Sequence, residues 1–261
     1  MHRRTALGAL ASAGLLLTGC SGPPAPTQEE LECTTKSALT EFDHLGDAAI
    51  VYEVDQRASS FSIEPNFLAQ METWHLDWQA TSDLPHDDQV WSYGAFVRDG
   101  LSCDSWHGAG RAFDISQLRH GDDTIVSCRE DLWAELGDVA RRDDLRRRYW
   151  SLAASLHLHF AYVLTYLYDP AHRNHIHVDN SVSRSGMSVF DRTSRVQLHM
   201  VQTACAVLWD VEVEPSEQWD RQTRNASHVV LEKLGAHGDV GRSDNWEAFL
   251  RGCVPRAAAL S

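Results

Sequence analysis

The chain has 261 residues, of which 43% are apolar and 23% charged, enough apolar material for a sizeable globular core. Its formal charge of −14 excludes the basic face that nucleic-acid binding requires. Lys36 and Lys233 are the only lysines, the other basic residues being arginines, which reads as compositional bias more than as function.

The first 20 residues read as a targeting segment outside the fold. His2, Arg3 and Arg4 make a positive start, and Thr5 to Leu16 an apolar run too short to span a bilayer. Leu17-Thr18-Gly19-Cys20 then resembles the lipobox of bacterial lipoproteins, where cleavage precedes a cysteine that carries diacylglycerol. The resemblance implies a lipidated Cys20. Paired acyl chains anchor stably, so the mature protein is expected on the outer face of the bacterial cytoplasmic membrane, in the cell envelope. Residues 21–32 are polar and proline-containing, as in a linker.

From residue 34 to 56 the chain reads as helical at first and then as a strand at Ala49–Val54. Between Pro65 and Ala80, Phe67, Leu68, Met71, Trp74 and Trp78 recur at helical spacing, with Pro65 suited to a first turn. Asp88 to Val97 is rich in β-branched and aromatic residues and predicts a strand, as does Ala112–Ile115. Asp131 to Phe160 predicts a helix in two pieces. The first presents Leu132, Trp133, Leu136 and Val139 on one face; the second carries Tyr149, Trp150, Leu152, Ala153 and Leu156. Ala161–Tyr168 and Ile176–Asp179 predict a β-hairpin whose His-rich loop starts at Asp169-Pro170. Beyond Ser181 the texture turns helical: Arg195 to Trp209, Thr223 to Leu234 with Gly235 as its stop, and a short helix capped by Ser243. A boundary near residue 185 separates a domain at 33–184 from a helical subdomain at 185–261.

Export changes the meaning of the cysteines. Besides Cys20 there are Cys33, Cys103, Cys128, Cys205 and Cys253, an odd number for an oxidising compartment. Cys103 is placed to brace its loop by bridging to Cys33 or Cys128, and Cys205 with Cys253 to staple the C-terminal segment.

The chemistry gathers in two stretches, Ser105-Trp-His107-Gly-Ala-Gly110-Arg111-Ala-Phe-Asp114 and His172-Arg-Asn174-His175-Ile-His177. Imidazole nitrogen and carboxylate oxygen are ordinary zinc donors, and a catalytic site leaves its fourth position to water. Gly108 and Gly110 make the first stretch a turn entering a strand, and His175 and His177, two apart on a strand, share a face. Two neighbouring strands then bring His107, Asp114 and a histidine to one cavity. The plain alternative is a set of core histidines. The chain has 14 histidines, and His157-Leu158-His159 makes a second pair, but at a helix end, where such residues diverge.

Ser105-x-His107-x-x-Gly110-x-Ala112-x-Asp114 together with His175-Ile176-His177 resembles the signature of the zinc D-Ala-D-Ala metallopeptidases, a group that shares its fold with the hedgehog N-terminal domain. Within the group the chain looks most like the extensin-like C-terminal domain branch, and His172, His175 and His177 are similar to the His-x-x-His-x-His of penicillin-insensitive murein endopeptidases. The likeness covers roughly residues 60–180. It implies that His107, Asp114 and His177 bind Zn²⁺ and that His175 or His172 moves the proton. Other branches place a carboxylate where this chain has Asn174, so either those histidines act as base or metal binding survives without catalysis. Arg98 and Arg111 are candidate partners for a substrate carboxylate, Arg98 before Arg111, and Ser105 for a substrate hydrogen bond. Asp169 and Asp179 are candidate acceptors for a ligand imidazole, or simply turn and strand-end residues. The C-terminal segment resembles, in degenerate form, a small helical peptidoglycan-binding domain, beside the plainer reading of a helical cap.

The fold expected is α+β: a small, mainly antiparallel sheet carrying the zinc site, flanked by helices, plus the helical subdomain. The first function expected is a lipid-anchored zinc peptidase hydrolysing peptide bonds in peptidoglycan stem peptides or cross-links. The alternative is a non-catalytic, zinc-containing, wall-binding lipoprotein. Peptidoglycan and the membrane, through the anchor, are the expected partners. A periplasmic zinc-binding protein is a third reading, weakened because most of the extra histidines lie near one motif.

Overall fold

The computed structural model describes residues 31–96, 105–181 and 187–258. Five short strands open the fold: β1 (Thr40–Phe42), β2 (His44–Leu45), β3 (Ala48–Tyr52), β4 (Arg57–Ala58) and β5 (Phe61–Ile63). Helix α1 (Pro65–Thr81) leads to β6 (Gln89–Gly94), β7 (Ala112–His120) and β8 (Asp123–Ser127). The one-turn α2 (Glu130–Trp133) and the long α3 (Val139–His159) precede the hairpin of β9 (Tyr162–Leu164) and β10 (Ile176–Asp179). Helices α4 (Arg195–Leu208), α5 (Arg221–Lys233) and α6 (Ser243–Cys253) close the chain. None of the described helices is long and apolar enough to cross a membrane.

The α+β class is as expected, but the sheet is neither small nor simply antiparallel. Eight strands run in the order β2-β3-β6-β7-β10-β9, with β4 beside β3 and β8 beside β7, while β1 and β5 pair separately. β3 and β6 are parallel, Ile50 opposite Val90. Parallel neighbours need a crossover of a dozen or more residues, usually a helix, and α1 supplies it. Its local pattern shows the helix without showing which strands it joins. Glu64 caps α1 by accepting from the Phe67 amide at 2.8 Å, and Phe67, Met71, Trp74 and Trp78 are buried as the spacing predicts.

The expected helix near residue 34 is only a 3-10 turn at Lys36–Ala38, followed by strands. Gly46, at φ +56°, turns the chain between β2 and β3, a conformation foreign to a helix interior. Leu132, Leu136 and Val139 stay exposed, since α2 ends after one turn and only Trp133 of that set reaches the core. Arg242, rather than Ser243, stands at the N-cap of α6.

Every residue of α3 from Tyr149 to Leu158 is buried, polar ones included, because the helix has packing on all sides. It touches β8, β9 and α1, and also α4 and α6, so the C-terminal helices share one continuous apolar core with the sheet. Its two buried serines find partners: Ser151 Oγ donates to the Val254 carbonyl at 2.5 Å, and Ser155 Oγ accepts from Trp74 Nε1 at 3.1 Å. Cys205 and Cys253 are buried free thiols and form no staple, and Cys128 is also free. Cys33 is disulfide-bonded. Cys103 and Cys20 lie outside the described residues.

Candidate metal centre

The first stretch folds as a 3-10 turn, Trp106–Ala109, opened by Ser105, whose Oγ accepts from the His107 amide at 3.3 Å. Gly110 ends the turn at φ +67°, and a Cβ there would stand 2.5 Å from Leu39 Cδ2. Both its backbone and its close neighbours therefore demand glycine. Two residues later the chain enters β7, and Asp114 comes to lie directly opposite His177 of β10. Directly opposed residues of antiparallel strands share a face, so register alone brings these two side chains together.

The three donors converge. His177 Nδ1 lies 2.9 Å from Asp114 Oδ1, His107 Nε2 lies 3.2 Å from His177 Nδ1, and His107 Nε2 lies 3.3 Å from Asp114 Oδ1. Donors about 2.0–2.1 Å from one ion at tetrahedral angles stand about 3.3 Å apart, so the set has the span a metal needs. Among the described residues, His107, Asp114 and His177 are the group of ligating side chains close enough to hold an ion.

The far side of each imidazole is fixed as well. A bulge in β6 at Ser92–Gly94, with Gly94 at φ +137°, turns the Ala95 carbonyl towards His107 Nδ1. A carbonyl only accepts, so Nδ1 carries the proton and Nε2 keeps its lone pair for the centre. Asp179 Oδ2 stands 3.3 Å from His177 Nε2 and likewise directs Nδ1 inward. Burial works against charge at His177, but its hydrogen bonds with Asp114 and Asp179 push it up to about 9. Burial also opposes ionisation of Asp114, and the two imidazoles beside it, His107 and His177, overcome this, holding the carboxyl well below the usual carboxylate range.

His175 and His172 lie beside this group. His175 Nε2 lies 3.5 Å from Asp114 Oδ1, and its Nδ1 bonds Asn174 Oδ1 at 2.6 Å. Burial lowers His175 to about 4, helped by the other three site histidines and opposed by Asp114. His172 has its ring 5.2 Å from that of His175, and its Nδ1 bonds Asp169 at 2.8 Å. Arg111 is turned away from the donors: its Nε donates to Asn180 Oδ1 at 2.7 Å, and its guanidinium covers the Trp106 ring at 4.8 Å. Arg98 lies outside the described residues. The second histidine pair diverges as expected, His157 towards Trp246 and His159 onto Asp77 at 2.9 Å.

A cavity of about 540 Å³ opens beside the donors, with His172, His177 and Asp179 on its inner side. Sequence reading passed over most of its remaining wall. Trp106, Tyr162 and Tyr168 supply aromatic surface, and the start of α4, from Thr193 to Val196, closes the far side. Arg195 lies over the Tyr168 ring at 5.0 Å and is paired with Glu217 at 2.6 Å. The resemblance of the two motifs pointed to the donors, but no local signal ties α4 to them.

Comparison with known proteins agrees with part of the resemblance. No curated protein and no solved structure matches the chain. Residues 97–189, which include all three donors together with His172 and His175, match the family model described as Extensin-like protein C-terminus.

Proposed function

We propose that the protein is a zinc-dependent peptidase of the cell envelope, anchored through Cys20, that hydrolyses peptide bonds in peptidoglycan stem peptides or cross-links. The observation that carries the reading is the convergence of three protein donors beside an open cavity. Structural zinc sites are closed by four protein ligands, whereas catalytic ones use three and leave a position open. The donor chemistry, two imidazoles and a carboxylate, suits zinc. When bound, zinc supplies Lewis acidity, making water easier to deprotonate and polarising a carbonyl.

The chain's own residues do the rest. His107, Asp114 and His177 hold the ion, each imidazole fixed from behind by Ala95 or Asp179. His175 Nε2, beside Asp114 but outside the donor group, accepts the proton of the attacking water and returns it to the departing amine. His172, held by Asp169 on the cavity wall with its ring 5.2 Å from that of His175, is the second candidate for that proton. Trp106, Tyr162 and Tyr168 line the space for the substrate's apolar groups. Ser105, on the same wall, is placed to donate a hydrogen bond to the substrate backbone.

One observation favours a second reading, in which the protein keeps zinc and binds cell wall without cutting it. Asn174 has an amide where other branches of the resembling peptidases carry a carboxylate base, and an amide cannot take a proton. Purified protein lacking its first 20 residues, assayed for metal and incubated with muropeptides beside a His177→Ala variant, separates the two. About one zinc per chain with cleavage supports the peptidase. The same zinc without cleavage leaves only the wall-binding reading, and absence of metal removes both.

A further inference from the structure

Asn174 and His175 are sequence neighbours, yet their side chains meet, with His175 Nδ1 2.6 Å from Asn174 Oδ1. Successive residues of an extended strand point to opposite faces, so this contact needs a change of backbone between them. The structure has one: Asn174 is the last residue of the 3-10 turn Pro170–Asn174, and His175 begins extended backbone at φ −159°. An amide oxygen only accepts, so Nδ1 of His175 carries the ring proton and Nε2 keeps a lone pair. That Nε2 is the atom 3.5 Å from Asp114 Oδ1.

The ring is also wedged from the other side. Tyr93 of β6 meets it edge-on, ring centroids 6.0 Å apart at 64°. The Tyr93 hydroxyl bonds the Asn174 side chain, and the charge of Arg129 acts on it through space. Arg129 is itself immobilised, bonding Asp131 through Nε and Nη2 at 2.9 and 2.8 Å and Glu53 through Nη1 at 2.7 Å. Glu53 is buried and accepts in addition from Ser116 at 2.7 Å. His175 is therefore held between two groups that also bond each other.

We infer that Asn174 and Tyr93 are positioning residues that hold His175 as its Nδ1–H tautomer, with the Nε2 lone pair directed at the metal centre. The amide at 174 is then no lost base. It accepts the same ring proton that a carboxylate would accept, without adding a second negative charge beside Asp114. The inference rests on the peptidase reading for its catalytic meaning, while the tautomer is a property of the chain itself.

The test uses histidine-selective ¹⁵N and ¹³C labelling of the metal-free protein at neutral pH, with His175→Gln assigning the signal. The wild type is expected to show protonated Nδ1 and bare Nε2. Asn174→Leu should move the signal to the Nε2–H tautomer, and Asn174→Asp should restore Nδ1–H, with thermal unfolding confirming that each variant folds. With zinc and muropeptides, Asn174→Leu should lower kcat about 10- to 100-fold at nearly constant KM. A wild-type signal from Nε2–H, or a tautomer unmoved in Asn174→Leu, overturns the inference. Should Asn174→Leu not fold, Asn174→Ser, with its shorter reach, stands in for it under the same criterion. A wild type that shows the Nδ1–H signal but cuts no muropeptide upholds the positioning and sinks the peptidase.

Discussion

His177 and Asp179 lie two residues apart on one strand and one face, and Asp179 Oδ2 stands 3.3 Å behind the Nε2 atom of His177. The strand's alternation thus pairs a donor with the group that orients it, and Asp179 spends its other oxygen on the Ser181 amide at 2.9 Å. Loss of such a backing acceptor commonly costs 10- to 100-fold in metal affinity. Asp179→Ala should therefore bind zinc about 10- to 100-fold more weakly in competition with a chelator. An unchanged affinity would show that the backbone alone sets the His177 ring.

The donors themselves should be indispensable. His107→Ala, Asp114→Ala and His177→Ala each leave two donors of the three, and metal content measured by elemental analysis should fall from near one per chain towards zero. A ligand that binds only the folded state stabilises it by about 2.7 kcal/mol at a hundred times its Kd. Zinc should accordingly raise the unfolding midpoint of the wild type and leave those of the three variants in place.

Gly110 couples the backbone to the centre. Gly110→Ala forces φ +67° on an alanine and drives its Cβ towards Leu39, at a cost of about 1–3 kcal/mol. Denaturant unfolding should register that loss, and zinc affinity should fall with it because the turn carries His107. A variant with wild-type stability would contradict the geometry.

Trp106 lines the cavity without touching the donors' bonding atoms, and Arg111 braces its ring at 4.8 Å. In the peptidase reading, Trp106→Ala should raise KM for muropeptides several-fold while kcat changes little, the mark of lost uniform binding. A fall in kcat at constant KM would assign Trp106 to the chemistry instead.

His157 gives the fold a pH dependence away from the metal. It is fully buried between α3, α4 and α6, both ring nitrogens lack a hydrogen-bond partner, and Trp246 lies against the ring at 6.3 Å. Burial, reinforced by His199, lowers it to about 3. The unfolded chain binds a proton near pH 6.5 that the folded chain refuses, so the protonation penalty is absent above that pH. Stability is lost as pH falls from about 6.5 towards 3, by about 2 kcal/mol at pH 5. His157→Leu should flatten that slope in denaturant titrations between pH 7 and 5, and an unaltered slope would place the sensitivity elsewhere.

The resemblance carried by two short motifs pointed to His107, Asp114 and His177, since each motif is a local run of residues. The long helix at Pro65 and the hairpin ending at Asp179 were equally legible, since each shows its period within a few turns or residues. What surrounds them comes from contacts between distant parts of the chain. The parallel pairing of β3 with β6, the Ala95 carbonyl behind His107, the start of α4 across the cavity and the wedge of Tyr93 on His175 all join residues distant in sequence. Pairings of that kind are settled by which faces bury together and which buried polar atoms find partners, and no window along the chain contains both sides of such a choice.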